Sequence, residues 1–152
     1  MADERTEGCG CPPTAPALPT TGGIHHVILT VNDLPRSARF YAGLMPRLGY
    51  PGVVEYEGAS VGWFGPGGSF WIKRADERYA GDRFSKDRVG LCEVAFRAES
   101  RAQVDALAAD VATLGGTILD LPREYPEYVP GYYSVFFADP DGIKLELVHI
   151  PG

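Results

Sequence analysis

His26-Val27-Ile28-Leu29-Thr30-Val31-Asn32-Asp33-Leu34 decides the fold, because its pattern returns 67 residues later as Glu93-Val94-Ala95-Phe96-Arg97-Ala98-Glu99-Ser100-Arg101. Each stretch reads as a strand that runs into a helix-capping residue, Asp33 in the first and Ser100 in the second. Apolar residues then recur at helical spacing: Leu34, Ala38, Tyr41, Leu44 and Leu48 after the first cap, Val104, Leu107, Val111 and Leu114 after the second. Glycine stops both helices, at Gly49 and at Gly115-Gly116, and Met45-Pro46 predicts an early end or kink in the first.

Working outward, three strand candidates follow each helix. In the first half they span 53–56, 59–64 and 69–74, the last two joined by Gly65-Pro66-Gly67-Gly68. In the second they span 117–121, 132–137 and 143–150, the last two joined by Asp139-Pro140-Asp141-Gly142. The opening strands are expected over 24–31 and 91–97. The chain is therefore an α+β protein made of two βαβββ modules, an internal duplication that forms a curved mixed sheet or cup with the helices outside. Module one covers 24–74, a charged linker 75–89 and module two 90–150, together one domain over 23–152. Residues 1–22, rich in Pro, Gly, Thr and Ala, read as a disordered leader.

The duplication predicts which positions are equivalent in space. A shift of 67 pairs His26 with Glu93, and a shift of 74 pairs Pro66 with Pro140 and Ile72 with Glu146. Strand parity places His26, Ile28 and Thr30 on one face, and likewise Lys144, Glu146 and Val148. The inward positions of the cup are then His26, Ile72, Glu93 and Glu146. Two carboxylates about 5 Å apart at an effective dielectric near 20 repel by roughly 3 kcal/mol, so something must compensate. A divalent cation, a proton on one carboxylate, or Lys144 or Arg97 swinging in would each do so. One imidazole with two carboxylates suits Mn²⁺, Fe²⁺, Ni²⁺, Zn²⁺ or a partly hydrated Mg²⁺. His25, out of phase with His26, is expected to face the helix layer, and His149 is read as structural.

Composition narrows the function classes. With 14 basic and 20 acidic residues the net charge is -6, and no basic stripe offers itself to a phosphate backbone, which argues against nucleic acid as a partner. No apolar run approaches the roughly 20 residues needed to span a bilayer. The acidic start lacks a signal-peptide core, and three cysteines, two of them in Cys9-Gly10-Cys11, do not form an ordinary disulfide framework, so a cytoplasmic location is expected. Gly65-Pro66-Gly67-Gly68 lacks the lysine and hydroxyl residue of a phosphate loop.

The segment 123–133 is too aromatic for a plain connector. Tyr125, Tyr128, Tyr132 and Tyr133, stiffened by Pro126 and Pro130, suit a pocket lid for a planar or carbonyl-bearing ligand, or a loop that docks on the sheet edge or on a second subunit. Trp71 is a candidate for the opposite wall, and Arg97 for a substrate contact.

His26 to Leu34 with Phe40-Tyr41, the strand of 91–98, and Phe137-Ala138-Asp139-Pro140-Asp141-Gly142 with Lys144-Leu145-Glu146-Leu147 together resemble the vicinal oxygen chelate superfamily of glyoxalases, fosfomycin- and bleomycin-resistance proteins and extradiol dioxygenases. The resemblance covers the chain from Ile24 onward. It implies a metal held by His26 and Glu146. Where the family commonly has a second histidine this chain has Glu93, and the fourth position, Ile72, cannot bind metal. Three expectations follow. The first is a metal-dependent isomerase or lyase that acts on a small oxygenated metabolite through a metal-stabilised enolate or alkoxide. In it His26, Glu93 and Glu146 hold the metal, and Glu93 or a lid tyrosine, Tyr133, moves the proton. The second is a metal-free drug- or natural-product-binding protein, and the third an Fe(II) ring-cleaving dioxygenase, which the missing histidine disfavours. The resemblance also implies a homodimer, with a cup closed within one chain or between two.

Overall fold

The computed structural model of the protein describes residues 22–152. The leader expected over 1–22, with Cys9 and Cys11, lies outside these residues except for Gly22. The first module consists of β1 (His26–Val31), α1 (Leu34–Leu44), β2 (Gly52–Tyr56), β3 (Ser60–Gly65) and β4 (Gly68–Arg74). The second repeats it as β5 (Val94–Arg97), α2 (Arg101–Leu114), β6 (Thr117–Glu124), β7 (Tyr133–Ala138) and β8 (Lys144–His149). Both helix starts are capped as the sequence predicts: Asp33 accepts from the Arg36 N–H and Ser100 from the Gln103 N–H. Pro46 turns the end of the first helix into a 3-10 turn, Met45–Leu48, which stops at Gly49 with φ +85°.

Each module is a four-stranded sheet, ordered β1-β4-β3-β2 and β5-β8-β7-β6, with its first strand parallel to its last and the other pairs antiparallel. One face of each sheet meets the helices. Leu29, Val31, Phe70 and Ile72 from the first sheet and Phe96, Val135, Phe137, Leu145 and Leu147 from the second join α1 and α2 in a single apolar cluster. Full burial of such side chains contributes about 1.5–3 kcal/mol each, so the modules are held together by a shared core rather than by two separate ones. Glycine lets the helix layer close. A Cβ at Gly43 would run into Leu114, and one at Gly116 would stand 2.8 Å from both the Ala138 carbonyl oxygen and the Phe40 ring.

Polar contacts tie the β7–β8 turn to the first module. Asp139 accepts hydrogen bonds from the N–H groups of Asp141 and Ile143 and from the Tyr41 hydroxyl at 2.9 Å, while Asp141 accepts from the Asn32 N–H and pairs with Arg36 at 2.6 Å. Burial raises the Asp139 carboxyl above the usual range, opposed by those hydrogen bonds.

Three sequence expectations are corrected. Four residues separate Phe64 from its partner Ser69, whereas five separate Ala138 from Lys144, so the second hairpin turn is one residue longer. The shift across it is therefore 75, Trp71 is the counterpart of Glu146, and Ile72 matches Leu147. Ile72 lies opposite Leu29, fully buried in the helix-side core and not in the cup. His25 precedes β1 and is exposed, so it does not face the helix layer. The strand expected over 91–97 starts only at Val94, leaving Glu93 just outside it.

Candidate functional site

The faces turned away from the helices carry the candidate site residues, and the two sheets present them differently. On the second sheet, Ala95 and Phe136 flank Glu146, Ala138 lies beside Lys144, and Ser134 and Arg97 lie on either side of Val148. Glu146 is only 2% exposed. It is covered by the segment between β6 and β7, which the sequence marks as a lid. Tyr125 N–H bonds back to the Tyr132 carbonyl, Tyr128 N–H to Tyr125 and Tyr132 N–H to Val129, and Gly131 supplies the left-handed φ of +81° that the turn needs.

The lid is an aromatic cluster. Tyr125 and Tyr128 stack 6° from parallel with centroids 5.6 Å apart, Tyr132 meets both edge-on, and Tyr125 stands edge-on to Phe136. Asp120 anchors it by accepting from the Tyr125 hydroxyl at 2.6 Å, and the Arg123 guanidinium lies 3.7 Å over the Tyr125 ring. Tyr132 donates its hydroxyl to Glu146 Oε1 at 2.7 Å. Burial, then that bond, raise the Tyr132 hydroxyl above its ordinary value.

Beside this pair, Lys144 Nζ lies 2.6 Å from Glu93 Oε2 and 4.2 Å over the Phe136 ring. The ammonium group is the partner of Glu93 Oε2. The Ser134 hydroxyl is fully buried beside Glu146. Burial lifts the Glu146 carboxyl above the usual glutamate range; the Tyr132 and Ser134 hydroxyls oppose the shift and the Glu93 charge adds to it. Of the three neutralisers the sequence allows for the two acids, the structure shows lysine, on Glu93, while Glu146 accepts from a tyrosine hydroxyl that the sequence did not put among them.

Among the described residues, no loop of the kind between β6 and β7 covers the first sheet. His26 is exposed and its Nδ1 lies 2.9 Å from His25 Nδ1. Ile28, 51% exposed, lies opposite Trp71, whose Nε1 donates to Ser69 Oγ at 2.9 Å and whose ring lies edge-on to Phe64 and flat against Gly62. A Cβ at Gly62 would enter the Trp71 ring, which explains glycine there.

The site residues read from sequence thus divide. Glu93, Glu146, Tyr125, Tyr128 and Tyr132 come together on the second module. His26 and Trp71 lie on the first, and Arg97, on the second, makes no ion pair among the described residues. Tyr133 faces the opposite way: it donates to Asp105 on α2 at 2.7 Å and is out of reach of the acids. Among the described residues no three His, Cys, Asp or Glu side chains gather as a metal-holding group. On one chain the expected donor set His26, Glu93 and Glu146 therefore does not fit a metal ion. Sequence reasoning missed Ser134 and Phe136, although stepping across the β7–β8 hairpin from Glu146 with strand parity would have found both.

These two sheets, each pairing its first strand with its last and bearing its candidate residues on the helix-free face, define the class. The chain belongs to the Glyoxalase/Bleomycin resistance protein/Dioxygenase superfamily, whose family model matches residues 23–147. Members of this superfamily commonly use divalent metals, bind small molecules and are often dimeric. The chain is 37% identical to the uncharacterised protein YqjT of Bacillus subtilis (strain 168) over 125 residues, 82% of this chain and 97% of that one. Among solved structures, it resembles a glyoxalase/bleomycin resistance protein from Albidiferax ferrireducens T118 at 28% identity and a TM-score of 0.71, over 84% of this chain and 98% of that one. It likewise resembles a glyoxylase/bleomycin resistance protein/dioxygenase domain from Frankia sp. EAN1pec at 26% identity and a TM-score of 0.69, over 87% and 100%. No helix among the described residues is long and apolar enough to cross a membrane.

Proposed function

We propose that this protein is a small-molecule binding member of its superfamily that holds its ligand on the helix-free face of the second module, under the tyrosine lid, without a metal ion. The supporting observation is that both acids already have partners from the chain, Lys144 on Glu93 and Tyr132 on Glu146. A divalent ion would have to displace an ammonium group and a hydroxyl, and find its imidazole elsewhere. The site works by shape, stacking and charge, and the cytoplasm is the compartment we assign to it from its cysteines. Isothermal titration with Mn²⁺, Ni²⁺ and Zn²⁺, with elemental analysis of the purified protein, tests this: no stoichiometric metal is expected. One tightly held divalent ion per chain would sink it.

A second reading rests on the bare face of the first sheet. His26, Ile28, Val54, Tyr56 and Phe64 are exposed there, and a second copy of the chain is the partner we assign to that apolar face. If such a homodimer brings His26 of one copy to Glu93 and Glu146 of the other, the protein becomes a metal-dependent isomerase or lyase. The Fe(II) dioxygenase expectation ranks below it, for want of a second histidine. Sedimentation with and without chelator distinguishes the readings, because a metal bridged between copies makes the dimer chelator-sensitive.

A further inference from the structure

A cavity of about 390 Å³ opens beside the edge strand β5, and Ala95, Arg97, Val148, Ile150 and Pro151 are among the residues that line it. Ala95 and Arg97 stand opposite Glu146 and Val148 across the parallel β5–β8 ladder, so the cavity lies on the helix-free face of the second sheet, next along from the buried carboxylate. Pro151 joins it to the tyrosine lid: a Cβ at Gly131 would stand 2.7 Å from the Pro151 ring. Its volume falls within the range of small-ligand pockets, roughly 300–1,000 Å³.

The chemistry of this cavity is one cation among apolar walls. The Arg97 guanidinium makes neither an ion pair nor a hydrogen bond among the described residues, and no acidic side chain lines the cavity. The acids of the same face are already engaged, Glu93 with Lys144 and Glu146 with the Tyr132 hydroxyl. An exposed arginine by itself is an ordinary surface feature. Here it stands in a hollow where the side chains of Ala95, Val148, Ile150 and Pro151 offer only carbon, so an anion seated there sheds water on its apolar side and its charge-assisted bonds strengthen. The counterpart of Arg97, 67 residues earlier, is the uncharged Thr30, so a fixed charge at this position belongs to the second module. One guanidinium matches one negative charge; a phosphate group, with close to two, would need a second cation, and none lines the cavity. From the cavity, its unpaired guanidinium and its carbon walls, we propose that the ligand is an organic carboxylate with an apolar body. The guanidinium fork grips both carboxylate oxygens, and the body packs on Val148, Ile150 and Pro151. This rests on the binding reading above and adds the ligand class to it.

Three probes with one ring and different head groups test it: phenylacetate, neutral 2-phenylethanol and phenyl phosphate, each titrated calorimetrically into the full chain. Phenylacetate is expected to bind about 10-fold more tightly than either of the others. Arg97→Gln should remove its preference over the alcohol, and Arg97→Lys should restore only part of it, because an ammonium group keeps the charge without the planar fork. Arg97 is exposed and outside the apolar core, so neither substitution disturbs the fold. Arg39→Gln, an equal change of net charge at an exposed position on α1, should leave binding unchanged. Equal binding of phenylacetate and the alcohol, tighter binding of the phosphate, or a carboxylate preference that survives Arg97→Gln overturns the carboxylate assignment while the binding reading stands. If no probe binds, the carboxylate assignment falls; the binding reading falls with it only if the chain then holds a divalent ion instead.

Discussion

The two modules share order, register and helix caps, yet the same face of each sheet is built in opposite ways. In the first, small Gly62 lies opposite large Trp71, and the face is open to solvent. In the second, the matching pair is Phe136 and Glu146, and eight residues between β6 and β7 fold over it. The first module joins β2 to β3 through the tight turn at Glu57-Gly58, with Glu57 at φ +49° and Gly58 at +64°, a connection too short to fold over its sheet. Duplication therefore supplies two equal scaffolds, and loop length decides which carries an enclosed site. Burying a carboxylate is tolerable where a loop can bring it a donor, and among the described residues the second module has that loop between β6 and β7.

The sharpest way to break the comparison is to give the first module the second module's residue. Gly62→Phe places a ring where Trp71 already lies, and should cost about 3 kcal/mol, read from denaturant midpoints and the near-ultraviolet circular dichroism of the tryptophans. Next comes Lys144→Met, which strips Glu93 of its ion pair. The expected loss is about 2 kcal/mol, less than for a fully buried pair because both side chains keep some solvent contact. The same variant sharpens the functional question, since a gain of divalent-metal binding in it would show that lysine is what keeps the acids from an ion.

Tyr132→Phe removes the hydroxyl from Glu146 and should cost about 1.5 kcal/mol in thermal or chemical unfolding. Titration perturbs the same group more gently. Because the Glu146 carboxyl is raised in the folded state, its contribution to stability is fully present below the ordinary glutamate value. It is lost as pH rises through the raised folded value. Asp139, raised in the same direction, contributes with the same sign. Unfolding free energy measured from pH 4 to 8 should therefore decline through that interval, and Glu146→Gln should flatten the decline without abolishing the part due to Asp139. Smallest is Tyr133→Phe, which loses only the exposed bond to Asp105, at about 0.5 kcal/mol.

The functional side chains were legible as far as parity within one strand could carry them. Strand parity puts Glu146 on the face opposite Leu145 and Leu147, and both leucines are fully buried on the helix side. Tyr133 was misread for want of the same step, since parity with Val135 and Phe137 sends it to the helices. Ile72 was misread because equivalence was carried across a turn of unequal length.

From the sequence alone came the duplicated strand-helix-strands pattern, the caps at Asp33 and Ser100, the glycine stops and the candidate lid. These are local signals, in which each residue's own backbone preference or period is enough to state the result. Only the tertiary structure decided that Trp71 matches Glu146, that Lys144 rather than a bare charge faces Glu93, and that His26 stays apart from both acids on a single chain. Those outcomes depend on turn length and on pairings between elements far apart in the chain, where packing and charge neutralisation choose among arrangements that local preference leaves equal.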